Sequence, residues 1–522
     1  MTKPFKVIIV GAGSAGMSCA IDLARRGVDV VLLEQHHSAG GKIHQTALND
    51  RFIDSGPTVM TMRWVFDQLF DAAGLSLNDH VALHPLAVLG RHHWSHRPSL
   101  DLFTDAQQSE AAIEAFSGGK SAAEFRAFVQ TAKALYARME PIYMRGERPS
   151  LLSMTVGLGP GGLAQLARLG AMPSLWSHLG QTFSDPELRQ LFARYATYTG
   201  GSPLAAPATL ALIAYVELCG VWVAEGGMQG LASGMLSAAQ ALGVDARFNT
   251  EVQSVEVQSG RCKGVSLSNG EVLQADAVVF NGDVQALAKG LLGPHGASAV
   301  TSQETGPRSL SALTWSMLAE VHGPALHVHN LFFQPNYPDE FRSIFQRDQL
   351  PERPTLYLNA QDRGYGPEAL MSPQGTERLF LLVNAPARGD AATPHEEDFQ
   401  QCEERVFQQL QASGLSLRIS AQQRATPRTF HSRFSGSGGA LYGRAPHGWM
   451  SVFQRASSRS RLPGLYLAGG TAHTGAGVPM AALSGRLAAE AVMADRDSTS
   501  KSSRVVISGG MSTASATAGS TA

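Results

Sequence analysis

Charge is scarce in this sequence. Asp, Glu, Lys and Arg make up 16% of its 522 residues, where a typical soluble protein carries about 25%. That deficit points to an unusually apolar surface or a large apolar cavity. The 42 basic and 43 acidic residues leave a net charge of −1, so no overall field draws in a polyanion and no nucleic-acid partner is expected. Cysteine is sparse too. Cys19, Cys219, Cys262 and Cys402 are widely scattered without a CxxC spacing, which fits a reduced, cytosolic chain with no structural metal. No stretch of eighteen uninterrupted apolar residues exists. The nearest, 204–224, is broken by Pro207 and Glu217 and reads as a buried helix pair rather than a membrane span. No secretory signal is expected either, because residues 1–6 lead straight into a strand.

What is present begins at Lys6. Lys6-Val-Ile-Ile-Val10 is a short β-branched run suited to a strand buried on both faces. It feeds Gly11-Ala12-Gly13-Ser14-Ala15-Gly16, then a helical stretch over 17–26 that stops at Gly27, then a second strand over 28–33 ending at Glu34. The three glycines serve different ends. Gly11 permits a tight turn, Gly13 lets the backbone approach a pyrophosphate closely, and Gly16 allows helix–strand packing. The helix N-terminus offers free N–H groups and the positive end of its dipole to phosphates. Glu34, with Gln35 beside it, is placed to accept hydrogen bonds from ribose hydroxyls. Together they predict a dinucleotide-binding βαβ unit, which nicotinamide and flavin nucleotides use alike.

The next motifs separate the two. Gly40-Gly41-Lys42 follows the acid, and Asp54-Ser-Gly56-Pro57-Thr58-Val59 comes shortly after. A glycine pair and a cation at that point resemble the second glycine motif of the large FAD-dependent group that holds amine oxidases, protoporphyrinogen oxidase and carotenoid desaturases. The resemblance implies FAD as cofactor, Lys42 near the phosphates and Gly56-Pro57-Thr58 near the flavin ring. Alternating segments over 247–280, with turns at Ser259-Gly260 and Asn269-Gly270, predict a strand meander. The meander and its returning strand resemble the second FAD segment of that group, where Val252 would meet the adenine. A last buried strand over 464–467 leads into Ala468-Gly469-Gly470-Thr-Ala-His473-Thr-Gly-Ala-Gly477-Val478-Pro479 and a helix over about 480–493. That helix would aim its N-terminus at the flavin edge where negative charge appears on reduction.

The whole chain is similar to the bacterial-type phytoene desaturase family. Asp54-Ser-Gly-Pro-Thr-Val59, Gly220-Val-Trp-Val-Ala-Glu225-Gly-Gly-Met228 and His473-Thr-Gly-Ala-Gly-Val-Pro479 carry the likeness, although His-Thr-Gly stands at 473–475 where the family has His-Pro-Gly. Within the family, Arg194-Tyr-Ala-Thr-Tyr-Thr-Gly-Gly-Ser-Pro203 and Gly477-Val-Pro-Met-Ala-Ala-Leu-Ser-Gly485 resemble the 1-hydroxycarotenoid 3,4-desaturase branch. The resemblance implies an α/β fold: a Rossmann-like FAD-binding domain assembled from residues 1–80, 225–297 and 456–497. Residues 81–224 are expected as a helical substrate- or membrane-contacting segment, 298–455 as an α+β substrate domain, and 498–522, rich in Ser, Thr, Ala and Gly, as a disordered tail. It implies an acyclic C40 carotenoid as substrate and quinone or oxygen as electron acceptor. It also implies a cytoplasmic protein held peripherally at the inner or photosynthetic membrane.

Hydride loss would leave a cation spread along the polyene, so a weak base suffices for the proton; His473 and Glu225 are the candidates, each also open to a structural role. The apolar, glycine-rich stretch 151–179 suits either a buried hairpin or a membrane- or substrate-contacting surface. Three histidines in Arg91-His-His-Trp-Ser-His96 have no acid or cysteine at metal spacing and read as a polar strand or loop. Two rival functions share the architecture. One is a flavoenzyme of another kind, an isomerase or an amine oxidase; the latter needs an aromatic cage, and 468–486 holds no aromatic residue. The other is a lipid-binding chaperone of the GDP-dissociation-inhibitor type, against which the retained glycines and Glu34 count.

Overall fold

The computed structural model describes residues 4–150, 174–364, 375–392 and 396–508, with Gly159, Gly161 and Ala164 besides. A five-stranded parallel sheet is assembled from β1 (Lys6–Val10), β2 (Asp29–Leu33), β3 (Asp245–Arg247), β4 (Ala277–Phe280) and β5 (Leu465–Leu467), in the order β5-β4-β1-β2-β3. Four of these strands are apolar on both faces because both faces are covered, while the edge strand β3 (Asp-Ala-Arg) is polar and partly exposed. Val7, Ile9, Val30, Leu32 and Val279 pack against three helices, α1 (Ser14–Ala24), α2 (Met228–Ala241) and α3 (Val478–Ser508). Ile8, Val31, Leu33, Val278 and Leu465 pack against an antiparallel meander of Val252–Gln258, Arg261–Leu267 and Val272–Gln274. Its turns fall at the predicted Ser259-Gly260 and Asn269-Gly270.

A second, seven-stranded sheet holds, in order, Ser416–Ala425, Ser311–His322, Glu377–Ala385, Leu356–Ala360, His329–Phe332, Val88–Trp94 and Arg97–Phe103. One face buries Leu313, Trp315 and Leu381 under the helix Glu396–Ala412. The other, with Leu331, Phe333 and Trp94, packs on a helical layer that includes Phe125, Leu188 and Phe192. The stretch 81–224, expected to be helical, thus also contributes the hairpin at the edge of this sheet.

Three further expectations change. Residues 204–224 are not a helix pair: a short 3-10 turn Ala208–Ala211 and the helix Leu212–Leu218 lead into the strand Trp222–Ala224. The helical segment expected over 81–224 is also split at Gly118, whose φ of 87° ends one helix (Ala106–Ser117) before Gly119–Met139 begins. The C-terminal helix starts at Val478 rather than Met480 and runs to Ser508, so the opening of the segment expected as a disordered tail is helical; 509–522 and most of 151–173 lie outside the described residues. Among the described residues no helix is long and apolar enough to cross a membrane.

Candidate dinucleotide and active site

The glycine loop stands where β1 turns into α1. Gly11 has φ 102°, and its N–H donates to the Leu33 carbonyl at 2.7 Å. α1 begins after Gly13, and no side chain among the described residues caps it, so its first amides face outward for an anion. Space around the loop admits no side chains. A Cβ on Gly11 would lie 2.6 Å from the Asn281 carbonyl oxygen, and one on Gly16 2.0 Å from that of Gly11. Ala12 and Ala15 are buried, as is Ser14, whose hydroxyl donates to the Val478 carbonyl at 3.3 Å and so ties the loop to the start of α3.

Glu34 directly follows β2 with its carboxylate already oriented. It accepts the Ala12 amide at 2.8 Å and the His36 amide at 2.9 Å. Gln35 next to it is exposed. Gly40 donates to the Ala12 carbonyl at 2.9 Å, and Gly41 lies so close to Gly13 that a Cβ would meet its Cα at 3.2 Å. The two glycine motifs therefore form one cradle. Lys42 donates to the Leu441 carbonyl at 2.5 Å. Burial lowers its pKa, with nearby Arg455 adding to the effect and Asp283 opposing it.

Gly56 is wedged against the Lys42 carbonyl, 2.0 Å from where its Cβ would be. Pro57, Thr58 and Val59 follow, partly exposed, and Thr58 bonds Tyr357 of the second sheet at 2.6 Å. The fold thus places this loop between the dinucleotide cradle and the seven-stranded sheet. Val252 packs beside Val255 and Phe280 in the cluster under β2, while the Thr250 amide nearby donates to the Glu34 carbonyl at 2.8 Å.

At the far end of the chain, Gly469 and Gly470 leave β5, and the Gly469 amide donates to Ser484 Oγ at 3.1 Å. Gly477, with φ 113°, turns the chain into Val478 and buried Pro479. His473 is completely buried, and its Nε2 donates to the Gly146 carbonyl at 3.1 Å. Burial is the main cause that lowers its pKa to about 4. Glu225 is exposed at the bend before α2.

Several residues escaped the sequence reading. Asn281, just past β4, donates from Nδ2 to the Gly11 carbonyl at 3.0 Å, and its amide also faces Gly13, Gly16 and Gly469. Asp54 accepts the Met228 amide at 2.6 Å; burial raises its pKa. Arg194 and Glu217 form an ion pair at 2.8 Å with side chains 5% and 2% exposed, and Tyr195 and Tyr198 donate to the same carboxylate at 3.2 and 2.7 Å. A buried acid needs such partners, so Glu217 inside an apolar stretch was the one available signal. The histidine run lies on the strand Val88–Trp94 and the turn after it. His92 is buried and donates to the Leu100 carbonyl at 3.0 Å, His93 stacks on Phe332 and His96 pairs with Glu187. Among the described residues no cluster of His, Cys, Asp or Glu could hold a metal ion.

The arrangement fits FAD on its own terms: uncapped helix amides for a diphosphate, an oriented carboxylate for a ribose and a glycine-lined cradle that a Cβ would fill. Comparisons with known proteins agree. The profile of the flavin containing amine oxidoreductases matches residues 14–493. A hydroxyneurosporene desaturase of Rubrivivax gelatinosus is 51% identical over 523 residues, spanning 99% of this chain and 98% of that protein. One from Cereibacter sphaeroides is 43% identical, spanning 95% and 99%. Among solved structures, a triple mutant of putrescine oxidase superposes with a TM-score of 0.61 at 13% identity, covering 94% of this chain and 100% of that one; at that identity the likeness is one of fold.

Proposed function

Because the chain belongs to the flavin containing amine oxidoreductase family, with FAD as its cofactor, we propose that it is a carotenoid desaturase that introduces the C3–C4 double bond into 1-hydroxylated acyclic carotenoids. The observation that carries this reading is the full-length likeness to hydroxyneurosporene desaturases, at 51% identity.

When bound, FAD supplies the two-electron acceptor for the hydride that leaves the carotenoid. The chain's own residues do the rest. Gly11 to Gly16 and Gly41 would hold the diphosphate at the α1 N-terminus; Glu34, with Gln35 beside it, would take the ribose hydroxyls; Val252 would meet the adenine. Lys42 adds positive charge near the phosphates. Gly56, Pro57, Thr58 and Val59 would hold the flavin ring together with Gly469, Gly470 and Gly477 to Pro479, and the α3 N-terminus would favour the negative charge that reduction brings. His473, held neutral and bonded to Gly146, positions the C-terminal loop. Glu225, at the surface, is given no step. The proton lost from the neighbouring carbon is acidified by the delocalised cation, so a weak acceptor suffices.

The electron acceptor is a quinone or oxygen, and the enzyme works peripherally on the cytoplasmic face of a membrane, because its substrate is dissolved there. Anaerobic incubation of the FAD-loaded protein with liposomes and a quinone tests the reading, with the hydroxylated carotenoid and phytoene as separate substrates. Loss of two hydrogens from the hydroxylated substrate alone is the expected result. Turnover of phytoene instead would replace the branch, and an unchanged mass with a shifted spectrum would make the protein an isomerase.

A further inference from the structure

In a carotenoid hydroxylated at C1 and desaturated at C3–C4, a single carbon separates the hydroxyl-bearing atom from the reacting bond. On the function proposed above, the partner of that hydroxyl therefore has to lie beside the flavin-facing loop and not at the remote end of the substrate channel. The polar groups that matter are those adjoining residues 56–59.

One chain of hydrogen bonds lies there. Thr58 Oγ1 is 2.6 Å from the Tyr357 hydroxyl, which is 2.7 Å from His329 Nδ1. Asn359 fixes the polarity of this chain. Its side-chain nitrogen donates to the Val328 carbonyl at 2.9 Å, which identifies it as the amide NH2, and it also lies 3.3 Å from His329 Nδ1. An NH2 only donates, so Nδ1 is the acceptor and the ring proton sits on Nε2. Tyr357 then donates its hydrogen to His329, and Thr58 donates its own to Tyr357. Thr58 Oγ1 is left with lone pairs facing outward on a partly exposed residue.

The other end supports a polar seat in this place. His329 is 3% exposed, and its Nε2 finds no hydrogen-bond partner among the described residues. Burial and the charge of Arg194 hold the ring neutral, with a pKa of about 3, so the polarity is fixed across the ordinary pH range. Tyr357 and Val59 pack against the apolar cluster that holds Leu331 and Phe333. The one group of this chain left without a partner among the described residues, His329 Nε2, is a buried donor whose desolvation is not repaid.

We propose that Thr58, Tyr357 and His329 form the seat for the substrate's 1-hydroxyl: Thr58 Oγ1 accepts its hydrogen bond, and Tyr357 and His329 turn the threonine hydrogen away so that it can. Thr58 is the contact; Tyr357 and His329 are positioning residues.

The test is equilibrium binding to the FAD-loaded protein, read as quenching of tryptophan fluorescence. The probes are a 1-hydroxylated acyclic carotenoid and the hydrocarbon identical to it but for the hydroxyl, with the flavin-to-protein ratio measured alongside. Wild type is expected to favour the hydroxylated probe by about tenfold, the worth of one hydrogen bond. Thr58→Val, which is isosteric, should abolish the preference by weakening only the hydroxylated probe, and Tyr357→Phe should reduce it severalfold. If Thr58→Val fails to retain FAD, Tyr357→Phe carries the test alone. Equal weakening of both probes, or an undiminished preference in the variants, overturns the seat and leaves the proposed function standing. A wild type without any preference overturns the hydroxylated substrate, and the seat with it.

Discussion

Asp54 Oδ2 accepts the backbone amide of Met228 at 2.6 Å, across 174 residues of sequence. Asp54 ends the strand Arg51–Asp54 that leads into the loop 56–59, and Met228 begins α2. The carboxylate is thus the N-cap that Gly227 cannot itself provide. A Cβ on Gly227 would fall 2.0 Å from Asp54 Oδ2, so glycine is required at one side of the joint and an acid at the other. Two sequence motifs that looked separate are one structural unit.

Replacing Asp54 with Ala removes that cap and is expected to cost about 1–2 kcal/mol, while slackening the loop before Thr58. Denaturant unfolding of the FAD-loaded protein measures the loss, and a variant as stable as wild type would show the cap to be dispensable.

The close approach of α1 and α3 gives a second expectation. A Cβ on Gly485 would lie 2.0 Å from the Ala15 carbonyl oxygen, so Gly485→Ala pushes the two helices apart at the level of the glycine loop 11–16. The variant should purify with at least about tenfold weaker FAD retention, read from the ratio of flavin to protein absorbance.

Arg194 and Glu217 are a buried ion pair, and among the described residues neither charge is bridged to a second counter-ion. Deleting one partner strands the other, so Glu217→Ala should cost about 3–5 kcal/mol. Replacing both residues with apolar side chains of similar size is expected to cost less than the single change, and thermal unfolding of the three proteins orders them.

Acid sensitivity follows from the histidines. Burial depresses His329 to about 3 and His44, His93, His447 and His473 to about 4, against 6.5 when unfolded. The unfolded chain therefore binds more protons than the folded one below pH 6.5. Their contribution is complete above 6.5 and is lost as pH falls toward the folded values. Stability should fall between pH 6.5 and 5 by up to roughly 1.4 kcal/mol per histidine per pH unit, read as a falling unfolding temperature, and a flat profile in that window would contradict these burials.

The βαβ unit was legible because its signals are local: a β-branched run, three glycines and an acid, close together in sequence. The meander was legible for the same reason, through its two turn dipeptides. Asn281 was not, because its contact with Gly11 exists only once β4 pairs with β1. Nor was the Thr58–Tyr357–His329 chain, which needs the register of two strands and a loop from outside their sheet. The tail misled through composition: Ser- and Thr-rich sequence disfavours starting a helix, but extending one already formed costs little, and α3 carries on to Ser508.

Isotopic labelling tests dehydrogenation across C3 and C4 most directly. A 1-hydroxylated acyclic carotenoid deuterated at both carbons, turned over by the FAD-loaded protein, should yield a red-shifted product that has lost one deuterium from each. A product that keeps all its deuterium while its spectrum shifts would contradict the account and make the reaction an isomerisation.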